Sequence, residues 1–172
     1  SIFYGIMTMI LTYAVCIPLG ILKAIKHKTA VDNVTSILVF IGYAVPGYVV
    51  GIIAITVFAF YLEWFPLSGF TSNDFDDLSL FGKVADILDH AVLPLIAYMS
   101  GSFAVLTFLM KNSLMDNLAA DYVRTAMAKG LEFKRAVVRH AMRNSLIPIA
   151  TNFGQNITLF LTGSFLIEKI FN

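Results

Sequence analysis

Side chains able to carry acid–base or nucleophilic chemistry are few and scattered in this chain. His27, His90 and His140 fall in three different polar segments and have no metal-ligand spacing. Cys16 is the single cysteine and lies inside an apolar run, so no disulfide or cysteine-based metal site can form within the chain. No glycine-rich loop ends in Lys-Ser or Lys-Thr to cradle a phosphate. A Ser/His hydrolase acting inside a bilayer would need a membrane-buried histidine, and none is available. What remains is recognition. The stretch from Asp121 to Pro148 is the one long polar, basic segment, carrying Arg124, Lys129, Lys134, Arg135, Arg139 and Arg143.

The elements that must hold this stretch are apolar. Hydrophobic residues make up 58% of the 172, charged residues 13%, and the mean hydropathy is +0.80, values outside the soluble norm. The net charge of +1 says little, because the charges come in blocks. Residues 2–22 carry none, and roughly 20 apolar residues at ~1.5 Å rise cross a ~30 Å hydrocarbon core. Pro18 and Gly20 sit near the end of this span, where a kink costs least. A second span, 34–62, is broken near its centre at Pro46-Gly47. In lipid such a break is tolerated where protein or a water-filled cavity satisfies it, which points Pro46 to the bundle interior. Gly47 and Gly51 allow a neighbouring helix to approach closely. Third and fourth spans are expected at 91–110 and 146–167.

Between spans, residues 63–90 carry Glu63, Asp74, Asp76, Asp77, Asp86 and Asp89 against Lys83, with Pro66, Gly69, Ser72 and Asn73 as turn formers. Interleaved phenylalanines suggest a loop folded over the membrane surface or a partner, and Tyr61 and Trp64 mark the interface. Ten of the twelve basic residues lie in the 23–28 and 111–145 loops, which the positive-inside rule places in the cytoplasm. The acidic loop is then outside.

Within 111–145, Asp116 or Asn117 can cap a helix that Gly130 ends, with Ala119, Tyr122, Val123 and Ala126 at helical spacing. After Gly130, a second short helix carries Phe133, Ala136, Val137, His140 and Ala141 on one face, flanked by basic residues. From charge and periodicity alone, such a pair can equally lie on anionic headgroups, each cation contributing ~1 kcal/mol.

Tyr122-Val-Arg-Thr-Ala-Met-Ala-Lys-Gly130, followed by Arg139-His-Ala-Met-Arg-Asn-Ser-Leu-Ile-Pro148, resembles the cytoplasmic loop of ATP-binding-cassette importer permeases. The likeness is to the oligopeptide and dipeptide branch. Gly42-Tyr-Ala-Val-Pro46, Trp64-Phe-Pro-Leu-Ser-Gly69, His90-Ala-Val-Leu-Pro94 and Thr162-Gly-Ser-Phe-Leu-Ile-Glu168 also resemble that branch, and the Phe-Pro-Leu-Ser-Gly segment looks like its microcin C-type subset. The resemblance implies an all-α, polytopic transmembrane helix bundle of the type I importer kind, with a short cytoplasmic coupling helix pair, in the bacterial inner membrane. By that resemblance Thr125, Ala126 and Gly130 occupy small-residue positions of a helix that docks in an ATPase groove, and Tyr122, Arg124 and Lys129 match the peptide branch. Arg124-Thr125-Ala126 replaces the broader family's acid followed by two alanines, and Met127 replaces an arginine. The implied partners are ATPase subunits, a second permease subunit, an external substrate-binding protein and membrane lipid, with no nucleic acid. No cofactor is expected in this chain, because ATP and Mg would sit on the ATPase subunits. Family permeases are longer, so a span is expected to be missing before Ser1 and another after Asn172.

Thr151, Gln155, Thr158 and Thr162 share a helical face, with Asn152 and Asn156 beside it. The stripe should point inward, either lining a path with Pro46 or bonding neighbouring helices. No charged residue lies mid-span, which argues against an ion-coupled carrier. The reading is a non-catalytic permease subunit of an ATP-driven peptide importer. The alternatives are an ATP-independent channel or scaffold with a lipid-binding loop, and a permease for nickel complexes.

Overall fold

In a computed structural model the backbone is described for residues 2–162 and 164–172, and side-chain surroundings for 2–154 and 164–172. Among the described residues eight α-helices follow one another and no strand occurs: α1 (Ile2–Ile25), α2 (Ala30–Ala44), α3 (Gly47–Ala54), α4 (Leu80–Ala119), α5 (Asp121–Ala128), α6 (Phe133–Ala136), α7 (Met142–Thr162) and α8 (Phe165–Phe171). Wider π-helical turns extend α3 over Ile55–Tyr61 and join α6 to α7 over Val137–Ala141. Among the described residues α1 and α4 are each long and apolar enough to cross a membrane, and α2 with α3 and its extension qualifies only as one broken span.

Several boundaries differ from those read in the sequence. α1 continues through Pro18 to Ile25, because proline removes one hydrogen bond whereas an apolar environment penalises every further unpaired group. The α2–α3 break falls at Pro46, as expected, and Pro46 caps α3 with extended backbone. Its ring is exposed on this chain, whereas Gly47 beside it stands close to Ala97. α4 runs for 40 residues, about 60 Å by helical rise. It absorbs 80–90, expected as loop, and 111–119, expected as the start of the cytoplasmic connection. Asp116 and Asn117 lie inside α4 and cap nothing; the N-cap of α5 is Ala120. The second helix of the expected pair is the first turn of a run reaching α7. The fourth expected span is divided, α7 ending at Thr162 and α8 beginning after Ser164, whose side chain accepts from the Ile167 amide.

The chain divides into two compact units. The first comprises residues 1–11, 42–102 and 158–172. Its core is Ala54, Ala59, Leu93, Ala97, Ile167 and Phe171. Both small residues of the Gly47/Gly51 pair are used: a Cβ at Gly47 would lie 2.7 Å from the Ala97 carbonyl oxygen, and one at Gly51 3.1 Å from the Phe171 ring. The acidic loop is tied to this unit by the Gly69 amide donating to the Phe171 carbonyl and by Phe70 meeting Phe3 and Tyr4 edge-on.

The second unit comprises residues 12–41 and 103–157. Its core gathers Cys16 and Ala24 of α1, Leu106, Met110 and Leu114 of α4, Val123 of α5, Ala136 and Ala141, and Ile149 of α7. Gly20 lets α1 touch α4, for a Cβ there would come within 2.6 Å of the Met110 Cβ and 2.8 Å of the Thr107 carbonyl oxygen. Everything that positions the basic stretch belongs to this unit.

Candidate functional site

α5 is an eight-residue helix with one firm anchor. Val123 is 1% exposed and shares its buried cluster with Leu114, Ala136 and Ala141. On the other side Tyr122, Arg124, Thr125 and Lys129 are exposed and Ala126 half-buried. The helix stops in a Schellman arrangement. The Leu131 amide donates to the Ala126 carbonyl at 3.1 Å and the Gly130 amide to the Met127 carbonyl at 2.9 Å, with Gly130 at φ +91°. This left-handed corner is why a glycine stands there.

The exposed side chains are held in place. The Tyr122 hydroxyl donates to Asn117 Oδ1, and Asn117 Nδ2 donates to the Ser113 carbonyl at 2.8 Å, fixing the ring to the end of α4. The Thr125 hydroxyl donates to the Asp121 carbonyl at 2.8 Å, which leaves its methyl outward. Arg124 faces Asp121 at 3.9 Å and Arg135 faces Glu132 at 3.9 Å, both pairs largely in solvent. Exposed pairs at that separation contribute about 0–1 kcal/mol, so these guanidinium groups exchange partners readily.

A cleft of about 500 Å³ opens beside α5, lined by Tyr122, Thr125, Ala126, Lys129, Gly130, Leu131, Arg139 and His140. Five of the six residues singled out from the sequence therefore meet at one surface; Arg124 does not line the cleft. Arg139 and His140 come to it from the π-helical turn, which the spacing alone did not associate with α5. A shallow concavity with a small-residue floor and cationic rim suits a protruding apolar or acidic surface. Among the described residues no cluster of His, Cys, Asp or Glu could hold a metal.

Of the residues read as lining or flanking a path, Thr151 and Asn152 face different surroundings. Thr151 is exposed and its hydroxyl donates to the Ile147 carbonyl at 3.1 Å. Asn152 is half-buried and accepts from the Tyr13 hydroxyl at 3.3 Å. Thr151 of the stripe thus faces outward, while Asn152 beside it makes an interhelical bond. The side chains of Gln155, Asn156, Thr158 and Thr162 lie outside the described residues.

One buried cluster was not foreseen. Asp32, 3% exposed, stands between Lys23 at 0% and Lys111 at 8%. Lys111 Nζ donates to both carboxylate oxygens at 2.8 Å. Lys23 Nζ lies 3.0 Å from Oδ1 and donates to the Asp32 carbonyl at 2.9 Å, Thr35 Oγ1 at 2.9 Å and Ser36 Oγ at 2.7 Å. The Lys28 amide donates to Oδ2 at 3.1 Å, holding Lys28 at φ +62°, and His27 Nδ1 lies 3.2 Å from the same oxygen. The available signal was the position of Lys23 and Lys111 at the ends of apolar runs with one acid, Asp32, between the first two spans.

Comparison with known proteins gives the family. Residues 16–172 match the family described as binding-protein-dependent transport system inner membrane component. The chain is 42% identical over 98% of its length to the peptidoglycan transport system permease protein YejB of Agrobacterium fabrum, covering 47% of that protein. It is 40% identical over its whole length to the inner membrane ABC transporter permease protein YejB of Escherichia coli O157:H7, covering 48%. The oligopeptide transport system permease protein AppB of Bacillus subtilis is 34% identical over 96% of the chain, which covers 51% of it. The chain thus spans about half the length of the curated relatives it matches. Its helices and its match over all but the first fifteen residues lead to one assignment: the chain belongs to the family of binding-protein-dependent transport system inner membrane components, as an all-α ABC permease.

Proposed function

We propose that this chain is the membrane-spanning part of a permease subunit in an ATP-driven importer of oligopeptides or peptide-like substrates. α5 and the Gly130 corner are its docking element for an ATPase subunit. The observation that carries this reading is the cleft that gathers Tyr122, Thr125, Ala126, Lys129 and Gly130 on an exposed, basic surface anchored by Val123. Relatives named as permeases of oligopeptide and peptidoglycan transport support the substrate class. Further partners are a second permease subunit and an external binding protein delivering substrate to the 63–90 side. The sidedness is that of the sequence reading, with 111–145 cytoplasmic and 63–90 outside, while the span boundaries are those of the helices described above. ATP and Mg reside on the ATPase, and this chain catalyses nothing; closure of the ATPase pair moves α5 and alternates access.

The test is ATP hydrolysis by the full-length permease reconstituted with its ATPase and binding protein, wild type against Ala126→Trp and Gly130→Trp. Stimulation by loaded binding protein, lost in both variants while each remains folded, is the expected result. Hydrolysis indifferent to the permease loop would instead favour a channel or lipid-binding scaffold, for which total basic charge matters and these two positions do not.

A further inference from the structure

The buried cluster has more cations than anions and is unevenly wired. Lys23 makes bonds to Asp32, Thr35 and Ser36, so α1 and α2 are joined several times over. Lys111 donates to the Asp32 carboxylate alone among the described bonds, through both oxygens. Its other polar contact is the Phe108 ring, 5.9 Å away on its own helix. Beyond the apolar packing of Cys16 and Ala24 with Leu106, Met110 and Leu114 and the Lys23 ammonium 5.3 Å from the Phe108 ring, this bidentate pair is the one ion pair that ties α4 to the α1–α2 corner among the described residues, backed by Phe40 stacked on Phe108 at 4.7 Å. Three residues further along α4 is Leu114, fully buried in the cluster that contains Val123, the anchor of α5. Residues three apart on a helix share a face, so the ion pair lies within one turn of a residue of the core that also seats α5.

Buried ion pairs seldom add net stability over well-packed apolar residues, and their best-attested role is to fix one arrangement of elements. We propose that Lys111 and Asp32 form a transmission joint, in which Lys111 is a positioning residue that passes movement of α5 from α4 to the α1–α2 corner. This rests on the reading of α5 as the ATPase-docking element. Lys111→Met is a clean probe, because two cations share one carboxylate: removing Lys111 leaves a neutral, fully bonded Lys23–Asp32 pair. Lys111→Gln is the second variant, keeping a hydrogen-bond donor without the charge, should the apolar one not assemble.

Proteoliposomes containing the full-length permease, its ATPase and its binding protein give peptide uptake and ATP hydrolysis in parallel. A merely structural fault lowers both by reducing intact complex and leaves their ratio unchanged. For a joint, Lys111→Met and Lys111→Gln keep hydrolysis while uptake per ATP falls about tenfold, within the usual span of coupling between sites. Lys111→Arg, still bidentate, restores most of the ratio. A wild-type ratio in Lys111→Met or Lys111→Gln overturns the joint while leaving the docking role of α5 intact. Wild-type hydrolysis that ignores the permease overturns both.

Discussion

The α5 surface and the Lys23–Asp32–Lys111 cluster use the same residue types for opposite purposes. At α5 the cations stand in solvent with loosely matched acids near 3.9 Å; in the cluster they are buried, with nearly every proton directed at an oxygen within 3.0 Å. A charge left in water remains free to find a partner at little cost, whereas one taken out of water must be bonded in advance. The first arrangement suits a surface awaiting another protein. The second suits a fixed connection inside one.

The largest expected effect breaks the buried side. Asp32→Asn replaces the anion between two ammonium groups with a neutral amide. Breaking a buried pair in this way costs about 3–5 kcal/mol. Asp121→Ala and Glu132→Ala remove exposed acids and should each cost below about 1 kcal/mol. Equilibrium unfolding of the purified full-length chain in mixed micelles measures all three. Comparable losses at Asp32 and Asp121 would show that the buried cluster carries no special weight.

A smaller effect separates the core beneath α5 from the surface around it. A methyl at Gly20 would press on the Met110 side chain and the Thr107 carbonyl, at 2.6 and 2.8 Å. Overpacking of that kind costs about 1–3 kcal/mol. At Gly154 a Cβ would meet nothing within 4 Å, and alanine there should stabilise the helix by about 0.5–1 kcal/mol. Gly20→Ala and Gly154→Ala should therefore shift the same unfolding midpoint in opposite directions.

These contrasts mark what could be read in the sequence. The helical class, the break at Pro46, the close approach at Gly47 and Gly51, and the Gly130 corner all follow from local rules: hydropathy, proline geometry, small-residue spacing and a left-handed glycine; the grouping of Tyr122, Arg124, Thr125, Ala126 and Lys129 with that corner comes from the resemblance to importer permeases. Asp32 escaped because an acid in a short connection between spans reads locally as one in water, and Lys111, which helps to bury it, stands 79 positions away. Asp116 and Asn117 had the chemistry of helix caps, yet α4 runs past them, its Leu114 held in the core that also seats Val123. Gly20 reads only as a place near the end of its span where a kink costs least, and it is a contact with α4. In each case the deciding interaction was long-range.

A further effect on stability concerns the corner that ends α5. Gly130 has φ +91° and no atom within 4 Å of where its Cβ would stand. Alanine and tryptophan therefore incur the same backbone strain, roughly 1–2 kcal/mol, and differ only in what they project beyond the chain. Asparagine, which tolerates this region, should lose less. If stability falls equally in Gly130→Ala and Gly130→Trp while stimulated ATP hydrolysis survives in the first and disappears in the second, the added volume is being met by something outside this chain. Equal loss of stimulation in both would put the fault in the corner itself, and Gly130→Asn would then recover it. Measuring stability and stimulation on the same three preparations separates a helix that has lost its end from one that no longer fits a groove.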